Sequence, residues 1–536
     1  MEYPLDNIFN QATFLLAKIL PTSFMRSSTM GTAATWKLLM LGWAYKNGLG
    51  IPHTMPTKGF TGGLSRLLEV GYSQNVVKFD FASLYPSIQL THDVFTESDV
   101  TGAMRGLLQY NYDYRNLYKE LKSKHAKLGE KEKSDYYDKK QLPLKILNNG
   151  MFGSISAPNV FPWGDTNMGE KITCTGRQYL RHMIRFFNEK GFKPLVGDTD
   201  GFNFSIPSDV DKYVYTSSGK HRFNEKGKTY KGMDAVVAEY NDVYMKGVMG
   251  LDVDEICEAT INIARKNYAD LIDGKVKLVG NTIKSKKLPT YIAEFIDRGL
   301  DLLSHGNGYD FISDYYDTIE RIYNQEIPLS KIANKSRVRM SVKDYEKRAQ
   351  QLNKAGNPLP KQAHMELIIK ENLTVDLGDT IYYVNTGTRK SHGDIQTKTD
   401  KKTKEKTVHI NCQYISQDII ENHPETTGVY NIERYIDAFN KRIKPLLVCF
   451  SPEVRDDILI TSPLHRQYFT RKQLELTSGQ PFGDGDQDTI EDLLTITPEE
   501  LDFWESIGVS PTYMFEDYGI LDKFSLDNKQ TERSVL

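Results

Sequence analysis

Three aspartates stand where a sequence could do phosphoryl chemistry. Asp80 closes a run of β-branched and aromatic residues, Asn75 to Asp80, that reads as a core strand. Asp198 and Asp200 lie in Gly197-Asp198-Thr199-Asp200-Gly201, between two apolar runs that read as strand, turn and strand over Phe192 to Phe204. Residues two apart on a strand share a face, so Asp198 and Asp200 are expected to line one surface. Three carboxylates on neighbouring strand ends repel one another unless a cation lies between them. Hard oxygen donors suit Mg²⁺, which retains waters and shares substrate phosphates. Two such ions about 3.5–4 Å apart can activate an attacking oxygen and stabilise a leaving one. A lone aspartate at either place reads equally well as a turn former or a strand cap.

Further residues around these aspartates suit a nucleotide. After Asp80 comes Phe81-Ala82-Ser83-Leu84-Tyr85-Pro86-Ser87-Ile88, a turn whose backbone N–H groups could meet a phosphate and whose Tyr85 could floor a sugar pocket. Lys145, Asn149 and Phe152 recur at spacings of four and three, so one helix face would carry a cation, an amide and an aromatic ring. An ordinary amphipathic helix with Phe152 in the core gives the same pattern.

Larger elements must position these groups. Met1 to Ala44 reads mostly as helix, with Ala12, Leu15, Leu16, Ile19 and Leu20 at helical spacing. A Gly/Pro-rich loop, Gly48 to Gly63, ends in Phe60-Thr61-Gly62-Gly63. Met104 to Lys122 and Leu142 to Phe152 are expected to be helices flanking a lysine-rich tip, His125 to Lys140, as a projecting hairpin. Met168 to Asn188 reads as a further helix. Beyond Asp254 the pattern is mainly helical, broken by Lys275 to Lys287 and by strand-like Asp379 to Asn385, with a polar loop at Lys398 to Lys406.

Composition sets the outer bounds. The 536 residues hold 68 Lys/Arg against 70 Asp/Glu, a net charge of −2, with 39% hydrophobic and 26% charged residues. That is the balance of a globular protein of several domains, and it excludes collagen-like, disordered and coiled-coil classes. No run of eighteen apolar residues suggests a membrane span, and Met1-Glu2-Tyr3-Pro4-Leu5 does not open a secretory signal; a cytoplasmic site is expected. Cys174, Cys257, Cys412 and Cys449 are far apart in sequence, so buried reduced thiols are expected. Charge is unevenly spread. Arg115 to Lys145 holds ten Lys/Arg against five acids, Lys275 to Lys287 five lysines and no acid, and Pro481 to Ser506 nine acids and no base. Basic patches on a neutral chain are compatible with a phosphate-lined groove.

Taken together, these segments resemble the polymerase motifs of the family B DNA polymerases. Asp80 to Ile88 matches D-x-x-S-L-Y-P-S-I without departure. Lys145 to Gly153 is similar to K-x-x-x-N-S-x-Y-G, with Gly150 for Ser and Phe152 for Tyr. Val196 to Gly201 is similar to Y-x-D-T-D-S, with Val196 for Tyr and Gly201 for Ser. Phe60 to Gly63 resembles Y-x-G-G, and Arg115 to Lys119 the basic helix that holds the triphosphate. Arg265 to Tyr268 resembles K-K-R-Y, Lys277 to Gly280 the following element of the bacteriophage branch, and Tyr430 to Phe450 the last thumb helix.

The resemblance implies an α+β right-hand polymerase, with an antiparallel-sheet palm, helical-hairpin fingers and a mostly helical thumb. On that reading residues 1–60 are an N-terminal helical segment left from an exonuclease connection. The palm spans 61–105 and 153–254, the fingers 106–152, the thumb 255–480, and 481–536 form an acidic C-terminal segment. Asp80 and Asp200 would be the principal ligands of two Mg²⁺ ions, for which Mn²⁺ could substitute, with Asp198 auxiliary. Arg115, Lys119 and Lys145 would neutralise phosphate charge, and the Ser83 and Leu84 amides would cradle phosphates. Tyr85 would pack under the deoxyribose, and Asn149 and Phe152 would face the nascent base pair. Gly62, Gly63, Lys266, Tyr268, Lys284, Lys286 and Lys287 would contact primer–template DNA, setting affinity rather than sequence preference. The lysines read equally as solvated charges, and Tyr268 as a core residue.

The expected partners are therefore primer–template DNA and deoxynucleoside triphosphates. The only acids before Asp80 are Glu2, Asp6 and Glu69, without a D-x-E pair, so no proofreading site is expected. A split phage replicase, its exonuclease on a separate subunit, is one explanation, and a reduced polymerase is the other; the split implies an open apolar face on residues 1–60. The acidic stretch Asp484 to Glu505, with Leu493, Phe503 and Trp504, reads either as a docking element for a partner such as a processivity clamp or as an outer thumb helix. The rival readings are a silent polymerase-like DNA-binding subunit and a metal-dependent phosphodiesterase. Retention of Arg115, Lys145 and Tyr85 argues against both.

Overall fold

The computed structural model describes Leu20 and residues 22–217, 227–245, 249–280, 288–353, 359–399, 406–479 and 489–506. Lys284, Lys286 and Lys287 lie outside these residues, as do most of the N-terminal helical pattern and the polar terminus after Ser506. The chain divides into two compact units. The first holds residues 1–68, 77–255 and 488–536; the second holds 69–76 and 256–487.

The first unit opens with helix α1 (Thr32–Lys46) and strands β1 (Ser65–Leu67) and β2 (Val70–Phe81). Three helices follow: α2 (Leu84–Thr91), α3 (Ala103–Lys127) and α4 (Lys131–Ile155). Then come α5 (Thr166–Glu189), the hairpin β3 (Lys193–Asp198) and β4 (Gly201–Ser205), α6 (Gly232–Tyr240) and the start of β5 (Leu251–Ala264). Its strands lie in the order β1-β3-β4-β2-β5. The pairings printed for β1 with β3 and β3 with β4 are antiparallel.

Strand alternation explains which side of this sheet is apolar. Val77, Phe79 and Phe81 of β2 are fully buried, whereas Lys78 and Asp80 between them point to the opposite face. The apolar face packs on α5. The rings of Phe79 and Phe187 stack with centroids 4.0 Å apart, and Tyr179, Met183 and Ile184 fill the same core. Helix α5 begins at Asp165, whose side chain accepts from the Asn167 N–H at 2.8 Å.

Helices α3 and α4 form a long hairpin joined by residues 128–130. The lysine-rich stretch expected as a tip is thus almost wholly helical. Lys122 and Asp138 pair across it at 2.6 Å, and His125 pairs with Glu130 beside the turn. Asp99 starts α3 by accepting from the Ala103 and Met104 N–H groups at 3.1 and 2.7 Å. At the hairpin base Met104, Leu108, Leu147, Met151 and Ile155 bury Trp36 and Met40 of α1. The Trp36 indole donates to the Leu147 carbonyl at 2.8 Å. Over 32–46, therefore, Trp36 and Met40 pack against the hairpin, while Trp43 and Tyr45 remain exposed. Gly150, where the family has Ser, allows this approach: a Cβ there would lie 2.7 Å from Thr32 Cβ.

Helices predominate beyond Asp254 among the described residues, as expected, but the second unit opens with strands instead. β5 continues to Ala264 and leads through tight turns into β6 (Asn267–Ile272) and β7 (Lys275–Val279), an antiparallel meander. The β-branched pattern of Ile261, Ile263, Val276 and Val279 fits strands rather than helix. Helices α7 (Thr290–Ser304) and α8 (Gly308–Tyr323) follow, then an antiparallel sheet of β8 (Asn334–Arg337), β9 (Thr380–Asn385) and β10 (Cys412–Ile415). Helix α9 (Ile432–Ile443) places Phe439 against Phe295 and Tyr315 in the core of this unit. The segment expected as a polar loop at Lys398–Lys406 has paired strand ends at Thr399 and Lys406.

The final described helix, α10 (Pro498–Ser506), belongs to the first unit. Leu493, Phe503 and Trp504, expected to meet a partner or to sit outside the thumb, are buried within that unit instead. All four cysteines are buried thiols, none of them in a disulfide. Among the described residues no helix is long and apolar enough to cross a membrane.

Candidate active site

The carboxylates converge, though not through strand periodicity. β3 ends at Asp198 and β4 begins at Gly201, and these two residues pair directly. Thr199 takes a left-handed backbone, φ 64°, so Asp198 and Asp200 flank a tight turn rather than follow each other along one strand. The turn is pinned on both sides. The Thr199 N–H donates to the Leu64 carbonyl at 2.7 Å, and the Phe81 N–H to the Asp200 carbonyl at 2.9 Å. The second contact ties Asp200 to the strand end that carries Asp80.

Their electrostatics show the proximity. Burial and the charge of Asp200 push the Asp80 carboxyl up to about 7, with Lys78 and Lys145 opposing the rise and Asp254 adding to it. Asp200 keeps an exposed edge, and desolvation still raises its carboxyl; Asp198 adds to that rise, and Lys78 and Lys145 oppose it. Asp198 accepts from the Thr199 hydroxyl at 2.9 Å. Among the described residues no three His, Cys, Asp or Glu side chains form a cluster able to hold a metal alone. The donor set still fits a divalent cation that also takes oxygens from a phosphate, because a close carboxylate pair with raised pKa values is a site short of positive charge.

Around the pair the motif residues fall into place. Ser83, φ 57°, turns the chain from β2 into α2, which leaves the first-turn N–H groups of Leu84 and Tyr85 without intrahelical partners. The Leu84 side chain itself is buried in the core. Arg115, on α3, is buried, donates to the Ser83 hydroxyl and reaches Gln141 Oε1 at 3.4 Å, and the charge of Asp80 acts on it. Tyr85 and Phe152 pack ring on ring, centroids 4.5 Å apart at 41°. Burial and the charges of Asp200 and Asp198 raise the Tyr85 hydroxyl to about 12, so it stays protonated. A Cβ on Gly63 would lie 2.6 Å from the Tyr85 hydroxyl, so the Gly62-Gly63 loop abuts this ring.

Other predicted residues are further out. Lys145 and Asn149 are exposed on one side of α4, and Lys119 is exposed one turn beyond Arg115. Lys266, φ 59°, turns β5 into β6, and Tyr268 follows half-buried on β6; both belong to the second unit.

Sequence reasoning missed three participants. Lys78 shares a face with Asp80 and pairs with Asp254 at 2.9 Å; the period of two along β2 is a signal that could have found it. Arg177 donates to the Thr61 carbonyl at 2.9 Å and to the Gly62 carbonyl, fixing the loop against Tyr85. No local pattern marks Arg177, because its partners lie far away in sequence.

Comparison with known proteins bears on the family of the chain. The model of DNA polymerase family B matches residues 96–424, well over half of the chain. The DNA polymerase of Thermococcus sp. (strain 9oN-7) is 26% identical over 351 residues, covering 60% of this chain and 42% of that protein. That of Thermococcus gorgonarius is 26% identical over 313 residues, covering 54% of this chain and 38% of its own length. Both relatives are archaeal, and the chain spans about two fifths of their length. The structure of the family B DNA polymerase from the hyperthermophilic archaeon Pyrobaculum calidifontis superposes with a TM-score of 0.54 at 15% identity, over 81% of this chain and 53% of that one. The chain belongs to DNA polymerase family B.

Proposed function

We propose that the chain is a template-directed DNA polymerase that extends a primer 3′-hydroxyl with deoxynucleoside triphosphates. The observation that carries this reading is the pairing of Asp80 with Asp200 in the field of Lys145, beside the Tyr85–Phe152 ring pair. Asp80 and Asp200, with Asp198 next to them, would hold two Mg²⁺ ions or Mn²⁺ in their place. When bound, those ions supply the charge that favours attack by a hydroxyl and departure of pyrophosphate.

The residues of the chain do the rest. Lys145, Lys119 and Arg115 offset the negative charge of the triphosphate. The Leu84 and Tyr85 N–H groups at the start of α2 meet its outer oxygens. Tyr85, backed by Phe152 and abutting Gly63, floors the sugar pocket and leaves no room for a 2′-hydroxyl. Asn149 and Phe152 face the new base pair. Residues 61–105 and 153–254 act as palm, the 106–152 hairpin as fingers and 255–480 as thumb. Gly62, Gly63, Lys266 and Tyr268 hold the duplex by its backbone.

Primer extension by the purified chain tests this reading, with labelled primer–template, four deoxynucleotides and Mg²⁺, beside Asp200→Ala. Extension by the wild type alone supports it. Duplex binding without extension by either protein leaves a silent DNA-binding subunit in its place.

A further inference from the structure

An aromatic ladder runs along the α3–α4 hairpin, and the reactions considered so far do not use it. Tyr110, Tyr114 and Tyr118 recur every four residues on α3, with ring centroids 4.4 and 6.2 Å apart. Tyr118 stacks on Tyr137 of α4 at 6.1 Å and 27°, and Tyr137 stacks on His125 at 5.4 Å and 13°. Tyr136 meets Tyr137 edge-on, at 5.3 Å and 72°. Tyr110 is 57% exposed, Tyr114 39% and Tyr136 52%. The ammonium of Lys140 lies 5.5 Å from the Tyr118 ring centre and 4.6 Å from that of Tyr136. From Lys119 to Lys140 there are eight lysines against five acids.

Single exposed tyrosines are ordinary and need no explanation. A continuous series of rings, three of them exposed, beside an excess of lysine is different. Aromatic faces bind unpaired bases by stacking, and lysines follow the phosphates between them. A duplex cannot use such faces, because its bases already cover one another.

We propose that this ladder is a stacking platform for single-stranded DNA. The inference rests on the polymerase reading only for the source of that strand, either the template ahead of the site or a displaced strand. The chemistry is shared by the two sources: unpaired bases joined by phosphates.

The test uses the full chain and the fluorescence anisotropy of a labelled oligothymidylate of about twenty nucleotides, longer than the usual footprint of a single-strand site. The Tyr110→Ser, Tyr114→Ser double variant is expected to bind it about tenfold or more weakly, whereas the Tyr110→Phe, Tyr114→Phe pair, which keeps the rings, binds as the wild type does. Affinity for a blunt duplex should not change. Equal single-strand affinity in the Ser variant, or a matching loss on blunt duplex, overturns the proposal.

Should the Ser variant fail to fold, photocrosslinking of the wild type to an iododeoxyuridine oligonucleotide decides instead. Adducts at Tyr110, Tyr114 or Tyr118 support the platform, and adducts elsewhere alone overturn it. Substrates carrying a long template overhang or a displaced flap identify the source, since affinity for one of them should fall in the Ser variant; loss on neither overturns the proposal. Binding is read without catalysis, so Asp200→Ala keeps the effect, and an absence of extension would count against the polymerase reading alone.

Discussion

The carboxylate of Glu500 meets the guanidinium of Arg177 inside the first unit, and its other oxygen meets Arg181 at 2.8 Å. Each of the three residues is no more than 3% exposed. Arg177 spends its remaining N–H groups on Thr61, Gly62 and the Cys174 sulfur, and Arg181 donates to the Leu493 carbonyl at 3.1 Å. One carboxylate of α10 thus pairs with two arginines, one of which fixes the loop beside Tyr85. Its acidity serves the interior here.

Removing that carboxylate strands two buried cations. Glu500→Ala is expected to destabilise the first unit by about 3–5 kcal/mol. Loosening of the Gly62-Gly63 loop should also raise the KM for primer–template more than it lowers kcat. Burial pushes the Glu500 carboxyl up, but Arg181 and Arg177 outweigh it and hold the group below its ordinary range. Its stabilisation is therefore complete above the ordinary glutamate value and is lost as pH falls through the depressed one. Thermal melts of wild type and variant should converge in acid; a constant gap from neutral pH downwards would count against this pairing.

Restoring the family's serine at position 201 should harm this protein. A Cβ on Gly201 would lie 2.6 Å from the Phe79 carbonyl and 2.8 Å from Asp80 Oδ1. Both neighbours are held by the sheet, so the hairpin turn or Asp80 must move. Gly201→Ser is expected to cost about 1–3 kcal/mol of stability and to lower extension at least about tenfold, the scale on which misplaced reacting groups act. Gly201→Ala should behave the same way. If the serine variant extends primers as the wild type does, the close packing is not what keeps this position glycine.

Much of the site could be read from the sequence because its signals are local. Asp80 to Ile88 and Lys145 to Gly153 are short, contiguous segments, and each folds as one strand–turn–helix or one helix face. The convergence of Asp80 with Asp200 followed from motif order, although the strand-period argument for Asp198 and Asp200 failed, because a left-handed Thr199 ends the strand between them. The β5 and β6 strands run against the expected helix because short apolar runs do not separate the two periods, whereas β7 falls in the break expected at Lys275 to Lys287. Arg177 with Glu500, and Gly150 against Thr32, could not have been read at all, since each contact joins segments brought together only by tertiary packing.

On the proposed reading, the Tyr85–Phe152 ring pair makes sugar selection depend on two residues rather than one. With Tyr85 protonated throughout the working range, its hydroxyl beside Gly63 is a steric wall and not a charge. Tyr85→Ala should raise ribonucleotide incorporation about tenfold to a hundredfold, in line with the 1–3 kcal/mol that shape exclusion supplies. Phe152→Ala removes the surface against which Tyr85 is braced, so it should raise ribonucleotide incorporation as well, by a smaller factor. Single-nucleotide insertion with matched ribo- and deoxyribonucleotides measures both. An unchanged ratio in Phe152→Ala would leave Tyr85 positioned by its own helix.

Asp80 pays for function in stability. Burial and the charge of Asp200 push its carboxyl up to about 7, against an ordinary value near 3.8. Between those values the unfolded chain releases the proton while the folded chain keeps it, so stability falls as pH rises through this window and stays at the lower level above it. Asp80→Asn removes the charge that burial and Asp200 oppose. The variant should gain stability over the wild type progressively as pH rises from about 4 to about 7, with little difference below that window and the largest difference above it, while losing primer extension. Divalent ions must displace the same proton, so Mg²⁺ binding by the wild type should release protons at pH 6 and few at pH 8. Calorimetry in two buffers of different ionisation heat measures that release; equal proton release at both pH values would show that Asp80 is already ionised before the metal arrives.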